Sequence, residues 1–222
     1  MKKTLTYEDI RNDSDINAYI EKAGQVMSAM GYTEHSFAHV TRVAESTGYI
    51  LQTLGYDERT VEIGKIAGYM HDIGNMVNRH DHSQSGALVA FTLLKEKGMP
   101  NSELVDIVAA IGNHDEHTGL PLDPVSAALI IADKADVRRT RVKNPDLATF
   151  DIHDRVNYSV QKSELKINSA HTLIKLKLQV DTHYSSVIDY FEIFMTRMIL
   201  CRKAADVLGM RFTLMINEQQ LI

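Results

Sequence analysis

The stretch Ala67-Gly68-Tyr69-Met70-His71-Asp72-Ile73-Gly74 decides how this chain is read. Upstream of it Asp57 is a good N-cap, and Ile63, Ile66, Ala67 and Met70 recur at three- and four-residue steps. The spacing predicts a helix from Asp57 through Ile73, stopped by Gly74. An imidazole and a carboxylate therefore close a largely apolar helix side by side. Such a pair can hold one metal ion and, through the second carboxylate oxygen, bridge to another.

Outward from this helix the same punctuation recurs. Helices are predicted over 15–30 and 36–54, each followed by a glycine suited to a left-handed C-terminal position. In the second, Phe37, Val40, Ala44, Thr47, Leu51 and Leu54 draw one buried stripe. Further helices are expected over 83–97, 102–113 and 124–142, the last opened by Asp123 as N-cap and Pro124 at the first helical position. After Pro145 the pattern changes. Residues 156–168 and 173–181 are rich in β-formers, and Ile174, Leu176, Leu178 and Val180 alternate with polar residues, the period of a half-exposed strand. A long helix over 186–208 and a strand through Phe212, Leu214 and Ile216 complete the chain. The expected fold is mainly α: a helical bundle over 1–145, then a small C-terminal β-β-α-β unit over 146–222.

The 222 residues carry a net charge of −5 and are 44% hydrophobic, an ordinary globular composition. No run reaches the roughly 20 apolar residues a membrane span needs. Residues 1–5 do not read as a secretory signal, so the cytoplasm is the expected location. The negative balance gives no general reason to bind a polynucleotide. Cys201, the single cysteine, lies on the long helix and is expected to be a buried structural thiol.

Seven of the ten histidines fall between residues 35 and 117. His35 and His39 are four apart on an expected helix, so they share a face. Asp133 follows the apolar run Ala128-Leu129-Ile130-Ile131-Ala132, and a carboxylate so placed needs a cation beside it, a metal or a basic side chain. His153, His171 and His183 lack ligand spacing and are expected at the surface.

The order His39, His71-Asp72, His82, His114, Asp133 resembles the HD superfamily of metal-dependent phosphohydrolases. The local contexts agree: residues 67–74 resemble that family's Leu-His-Asp-Ile-Gly-Lys core, and His82-Ser83-Gln84-Ser85-Gly86-Ala87 resembles its His-x-x-x-Gly-Ala stretch. Asn113-His114-Asp115-Glu116 and Ile131-Ala132-Asp133-Lys134-Ala135-Asp136 are similar to later motifs of the HD-GYP branch. The resemblance covers about residues 30–142. There are two departures. Asn75 stands where many members carry lysine, and Gly119-Leu120-Pro121 replaces the Gly-Tyr-Pro triplet of cyclic di-GMP phosphodiesterases, so that substrate does not transfer.

The resemblance implies two divalent transition-metal ions. One is expected on His39, His71, Asp72 and Asp133, the other on Asp72, His82 and His114. A nitrogen and oxygen ligand set without thiolate suits iron, manganese, nickel or zinc, and of these iron or manganese is expected. The implied activity is cleavage of a phosphoester, in a nucleotide or related small molecule, by metal-bound hydroxide. Asp72 would bridge the metals, and Lys134, Arg138 and Arg79 are candidates to meet phosphate oxygens. His35 is a candidate catalytic or ligand residue, and His80 and His117 are candidate proton donors. Two rival readings use the same ligands: a di-iron oxygenase, and a metal-binding sensor without turnover. Exposed alternating strands would favour a homodimer.

Overall fold

The structure, a computed structural model, describes residues 4–221. Helices α1 (Tyr7–Arg11), α2 (Ser14–Ala29), α3 (Phe37–Thr53), α4 (Glu58–Met70), α5 (His82–Glu96), α6 (Asn101–Gly112) and α7 (Pro124–Ala135) form the first part. A shorter helix, α8 (Ile152–Ser159), leads into strands β1 (Val160–Ile167) and β2 (Leu173–Val180). Helix α9 (Val187–Val207) then crosses to β3 (Arg211–Ile216), and β4 (Gln219–Gln220) ends the sheet. The expectation of a mainly α fold with a small C-terminal β unit is met.

Local chemistry explains most boundaries. The Asp57 side chain accepts from the backbone amides of Arg59 and Thr60 at the start of α4, and Ile63, Ile66, Ala67 and Met70 are buried along it. Asp123 and Ser126 form a reciprocal capping box with Pro124 at the first position of α7. Ser186 and Asp189 do the same for α9.

Four expectations are corrected. Helix α4 ends at Met70, with His71 as its C-cap, and Ile73–Met76 continue as a short 3-10 turn. Gly74 lies inside that turn, so it does not stop the helix; a Cβ there would meet the carbonyl oxygen of His82 at 2.0 Å and the amide of Gly86 at 2.4 Å. Its role is to let α5 approach the His71-Asp72 turn. Helix α7 ends at Ala135 rather than Val142, because the Asp136 backbone leaves helical geometry. Residues 156–159, where β-formers suggested strand, belong instead to the helix α8: the Asp151 side chain caps it at the Asp154 amide, and Val156 and Asn157 are buried along it. Finally, α3 begins at Phe37, so His35 precedes the helix instead of sharing it with His39.

The sheet has the order β1-β2-β3-β4. β1 and β2 are antiparallel, whereas β2 and β3, joined through α9, are parallel with Leu176 opposite Leu214. Ile174, Leu176, Leu178 and Val180 are all buried, as the alternation predicts. One contiguous apolar core runs from Tyr7 through Ile130 and Ile131 to Ala204 and Leu214, so the sheet and α9 close the same interior as the helices. Among the described residues no helix is long and apolar enough to cross a membrane. Cys201 is fully buried on α9, and burial pushes its thiol pKa up to about 12.

A candidate metal centre at the helix ends

The six expected ligands meet at one place because each sits at or near a helix terminus. His39 lies in the first turn of α3, His71 caps α4 and Asp72 follows it. His82 opens α5, His114 stands just past the end of α6, and Asp133 occupies the last turn of α7. Three triads drawn from them, His39-His71-Asp72, His71-His114-Asp133 and Asp72-His82-His114, each bring ligand atoms within 4.8 Å of one another.

Helix termini also fix the ring orientations. The last carbonyls of a helix have no intrahelical partner, and His71 and His114 use them, while His82 uses a carbonyl of the loop before α5. His71 Nδ1 donates to the Gly68 carbonyl at 2.8 Å, and His114 Nδ1 to that of Ile111 at 2.6 Å. His82 Nδ1 donates to the Arg79 carbonyl at 3.1 Å. His39 differs, because its Nδ1 donates to the Asp136 carboxylate at 2.8 Å. With every Nδ1 committed as donor, the four Nε2 atoms are left facing inward.

Those nitrogens fit a metal. His39 Nε2 and His71 Nε2 are buried and have no hydrogen-bond partner. Carboxylate oxygens stand near them without hydrogen-bond alignment: Asp72 Oδ2 at 3.5 and 3.4 Å, Asp133 Oδ1 at 3.4 and 3.6 Å. On the other side His82 Nε2 and His114 Nε2 face each other at 3.2 Å. With both Nδ1 atoms donating to carbonyls, two neutral rings would oppose their lone pairs here, so either a proton or a metal ion has to lie between them. Asp72 Oδ1 stands 3.5 Å from the first and 4.0 Å from the second. Asp72 therefore turns one oxygen to each half of the cluster, the arrangement expected of a bridging carboxylate.

The electrostatics agree. Burial raises the Asp72 and Asp133 carboxyl pKa values, but the neighbouring cations and hydrogen bonds outweigh it and hold both well below the usual range. Burial lowers the His71 imidazole, yet Asp72 and Asp133 raise it further, to about 10. His82 and His114 are pushed down by burial. Without a metal, one half of the centre thus keeps a proton on His71 while the other half is neutral imidazole.

Around the ligands the structure places several residues that the sequence left unassigned. Asn75 is fully buried, and its Nδ2 donates to Asp72 Oδ1 at 2.8 Å, so this residue orients the Asp72 carboxylate. Asp136, three residues beyond Asp133, also receives Arg138 Nε at 2.8 Å and lies 3.1 Å from Arg42 Nε. Glu116 and Arg197 form a further charged pair with Arg197 Nε donating to Glu116 Oε1 at 2.8 Å. Nothing in the sequence pairs Asp136 with His39 or Arg197 with residue 116.

A cleft of about 790 Å³ opens beside the centre, lined by His82 and His35 and by Arg79, His117, His153 and Arg197 among others. Arg79 Nη1 lies 3.3 Å from His82 Nε2, and its guanidinium sits 5.9 Å from the Tyr32 ring. His35 donates through Nδ1 to the Thr33 carbonyl at 2.6 Å, and its ring packs 5.6 Å from that of His39. Lys134 is buried between Asp133 and Glu116, whereas Arg138 is engaged with Asp136. His80 is highly exposed and paired with Asp81 at 2.7 Å. His153 and His183 are exposed, as expected, but His153 belongs to α8 and borders the cleft.

Residues 36–140 match the family model of the HD domain. An uncharacterized protein of Methanocaldococcus jannaschii is 22% identical over 186 residues, covering 73% of this chain and 71% of that one. A crystal structure of a predicted HD superfamily hydrolase from an uncultured Thermotogales bacterium aligns at 26% identity with a TM-score of 0.44, covering 56% of this chain and 67% of that one. With its motif residues gathered on one centre and its sequence matched over residues 36–140, the chain carries an HD domain.

Proposed function

We propose that the chain is a cytoplasmic metal-dependent phosphohydrolase that cleaves a phosphoester in a small phosphorylated substrate, a nucleotide or a related molecule. The observation that carries this reading is the convergence of four Nε2 atoms, those of His39 and His71 without a hydrogen-bond partner and those of His82 and His114 opposed at 3.2 Å, flanked by Asp72 and Asp133 beside an open cleft. His39, His71, Asp72 and Asp133 would hold one divalent transition metal, and Asp72, His82 and His114 a second. Nitrogen and oxygen donors without thiolate favour iron or manganese here, with nickel or zinc as alternatives. Bound there, such ions supply a water acidic enough to act as nucleophile near neutral pH and absorb charge on the phosphoryl oxygens.

The chain's own groups have the remaining tasks. Arg79, at the cleft wall beside His82, is placed to donate to a non-bridging phosphate oxygen once His82 Nε2 is engaged by metal. This supplies the cation that Asn75 does not. His35 keeps its Nδ1 proton on Thr33 and so offers Nε2 as an acceptor to a water or substrate hydroxyl. His117, exposed at the cleft, is available as proton donor to the leaving oxygen. The cleft volume suits a ligand of nucleotide size.

The test is phosphate release by manganese- or iron-loaded protein across mononucleotides, dinucleoside polyphosphates and cyclic dinucleotides. Turnover of at least one class, with KM raised in R79M, is the expected result. Oxygen uptake by the iron-loaded protein with a polyol or organophosphonate, without phosphate release from the panel, would overturn it in favour of an oxygenase.

A further inference from the structure

Four alternating charges run from the C-terminal unit into the metal centre. Arg197 on α9 donates through Nε to Glu116 Oε1 at 2.8 Å. The other Glu116 oxygen lies 2.6 Å from Lys134 Nζ, which in turn lies 2.7 Å from Asp133 Oδ2. The remaining oxygen, Asp133 Oδ1, faces His39 Nε2 and His71 Nε2 at 3.4 and 3.6 Å.

Each link limits the next. Lys134 and Glu116 have side chains only 5% and 7% exposed, so neither charge can be left alone without a large desolvation cost. Lys134 is thereby occupied on two sides by carboxylates, and it is not among the residues that line the cleft. The Arg197 guanidinium packs 4.6 Å from the Phe194 ring one turn earlier on α9, which holds it in place. Removing Arg197 would leave Glu116 with Lys134 as its only near cation among the described residues. Lys134 would then be drawn toward Glu116 and away from Asp133, freeing Oδ2 to compete with Oδ1.

We propose that Arg197 is a positioning residue of the metal centre: through Glu116 and Lys134 it fixes Asp133 so that Oδ1 alone faces the metal, which makes α9 part of the working site. This rests on the metal-centre reading above, and it reassigns Lys134 from a phosphate contact to a support for Asp133. Outer partners of metal ligands commonly change metal affinity by about 10–100-fold when removed.

The full chain, stripped by chelator, is titrated with Mn²⁺ and with Co²⁺ in wild type, R197M, R197K, E116Q and D72A. R197M and E116Q are expected to weaken Mn²⁺ binding by about tenfold or more and to shift the Co²⁺ visible spectrum, while R197K restores both to near wild type. If R197M does not fold, E116Q decides. Wild-type Mn²⁺ affinity and an unchanged Co²⁺ spectrum in R197M or E116Q, with only a lowered melting temperature of the metal-free protein, would reduce the relay to a structural strut and overturn the proposal. D72A separates the two levels: loss of Mn²⁺ binding supports the centre itself, and wild-type binding there would refute the centre rather than the relay.

Discussion

The two halves of the metal centre use the same ligand types but are supported differently. On the His39–Asp133 side two of the supports are charged, Asp136 on His39 Nδ1 and Lys134 on Asp133 Oδ2, while His71 Nδ1 donates to the Gly68 carbonyl. On the His82–His114 side they are backbone carbonyls, those of Arg79 and Ile111, with a guanidinium 3.3 Å from His82 Nε2. A carboxylate behind an imidazole raises its basicity as a ligand, whereas a nearby cation opposes a metal. The first half should therefore bind metal more tightly than the second, with Asp72 common to both.

Breaking the shared member gives the largest effect. D72A is expected to lose both ions while retaining its helical circular dichroism, because the residue contributes ligand oxygens and no apolar packing. Metal analysis showing either ion bound at wild-type affinity would contradict the bridging role.

The next variant should separate the halves. In G74A the new Cβ collides with the backbone of His82 and Gly86, so α5 must move away from the His71-Asp72 turn. The expected result is destabilisation by about 1–3 kcal/mol together with loss of the second ion and retention of the first. A variant with unchanged melting temperature and two bound ions would show that α5 tolerates the shift.

A smaller change probes the first half alone. D136N keeps the shape at residue 136 but withdraws the charge from His39 Nδ1. Affinity for the first ion should fall by about 10–100-fold, with the second nearly unchanged, as read by competition with a chelating dye. Equal loss at both positions would dissolve the distinction.

Acidity should divide the halves as well. His71 carries a proton up to about pH 10 in the absence of metal, so the ion that needs its Nε2 must displace that proton. Metal and proton compete, and binding at the first position should weaken as pH falls from 9 to 7, by about tenfold per unit for one proton released. His82 and His114 are held below the ordinary imidazole range by burial and are already neutral there, so the second position should change little over the same interval. Calorimetry at two pH values in a non-coordinating buffer would show both slopes; equal slopes would contradict the assignment.

Much of this was legible in the sequence because it is written in short-range pattern. The apolar steps through Ile63, Ile66 and Met70, the caps at Asp57 and Asp123, and the alternation from Ile174 to Val180 each depend on neighbours within a few residues. Fold class could be read for that reason, and the candidate ligands that the fold brings together could be listed in order because the motifs around them are local. Boundaries failed where tertiary contact overrides propensity. Residues 156–159 read as strand, but a cap at Asp151 starts a helix that carries them, with Val156 and Asn157 buried. Gly74 read as a stop, although its function is contact between α5 and the turn before it. The supports were less visible still. Asp136 acts across 97 residues on His39, and Arg197 across 81 on Glu116, separations at which a single sequence carries no pairing signal.

The most direct test is anomalous diffraction at the manganese edge from crystals soaked first with less than one, then with excess, equivalent of Mn²⁺. The predicted result is a first peak among His39, His71, Asp72 and Asp133, followed by a second among Asp72, His82 and His114. Filling of the His82–His114 position first, or no peak at either, would contradict the account.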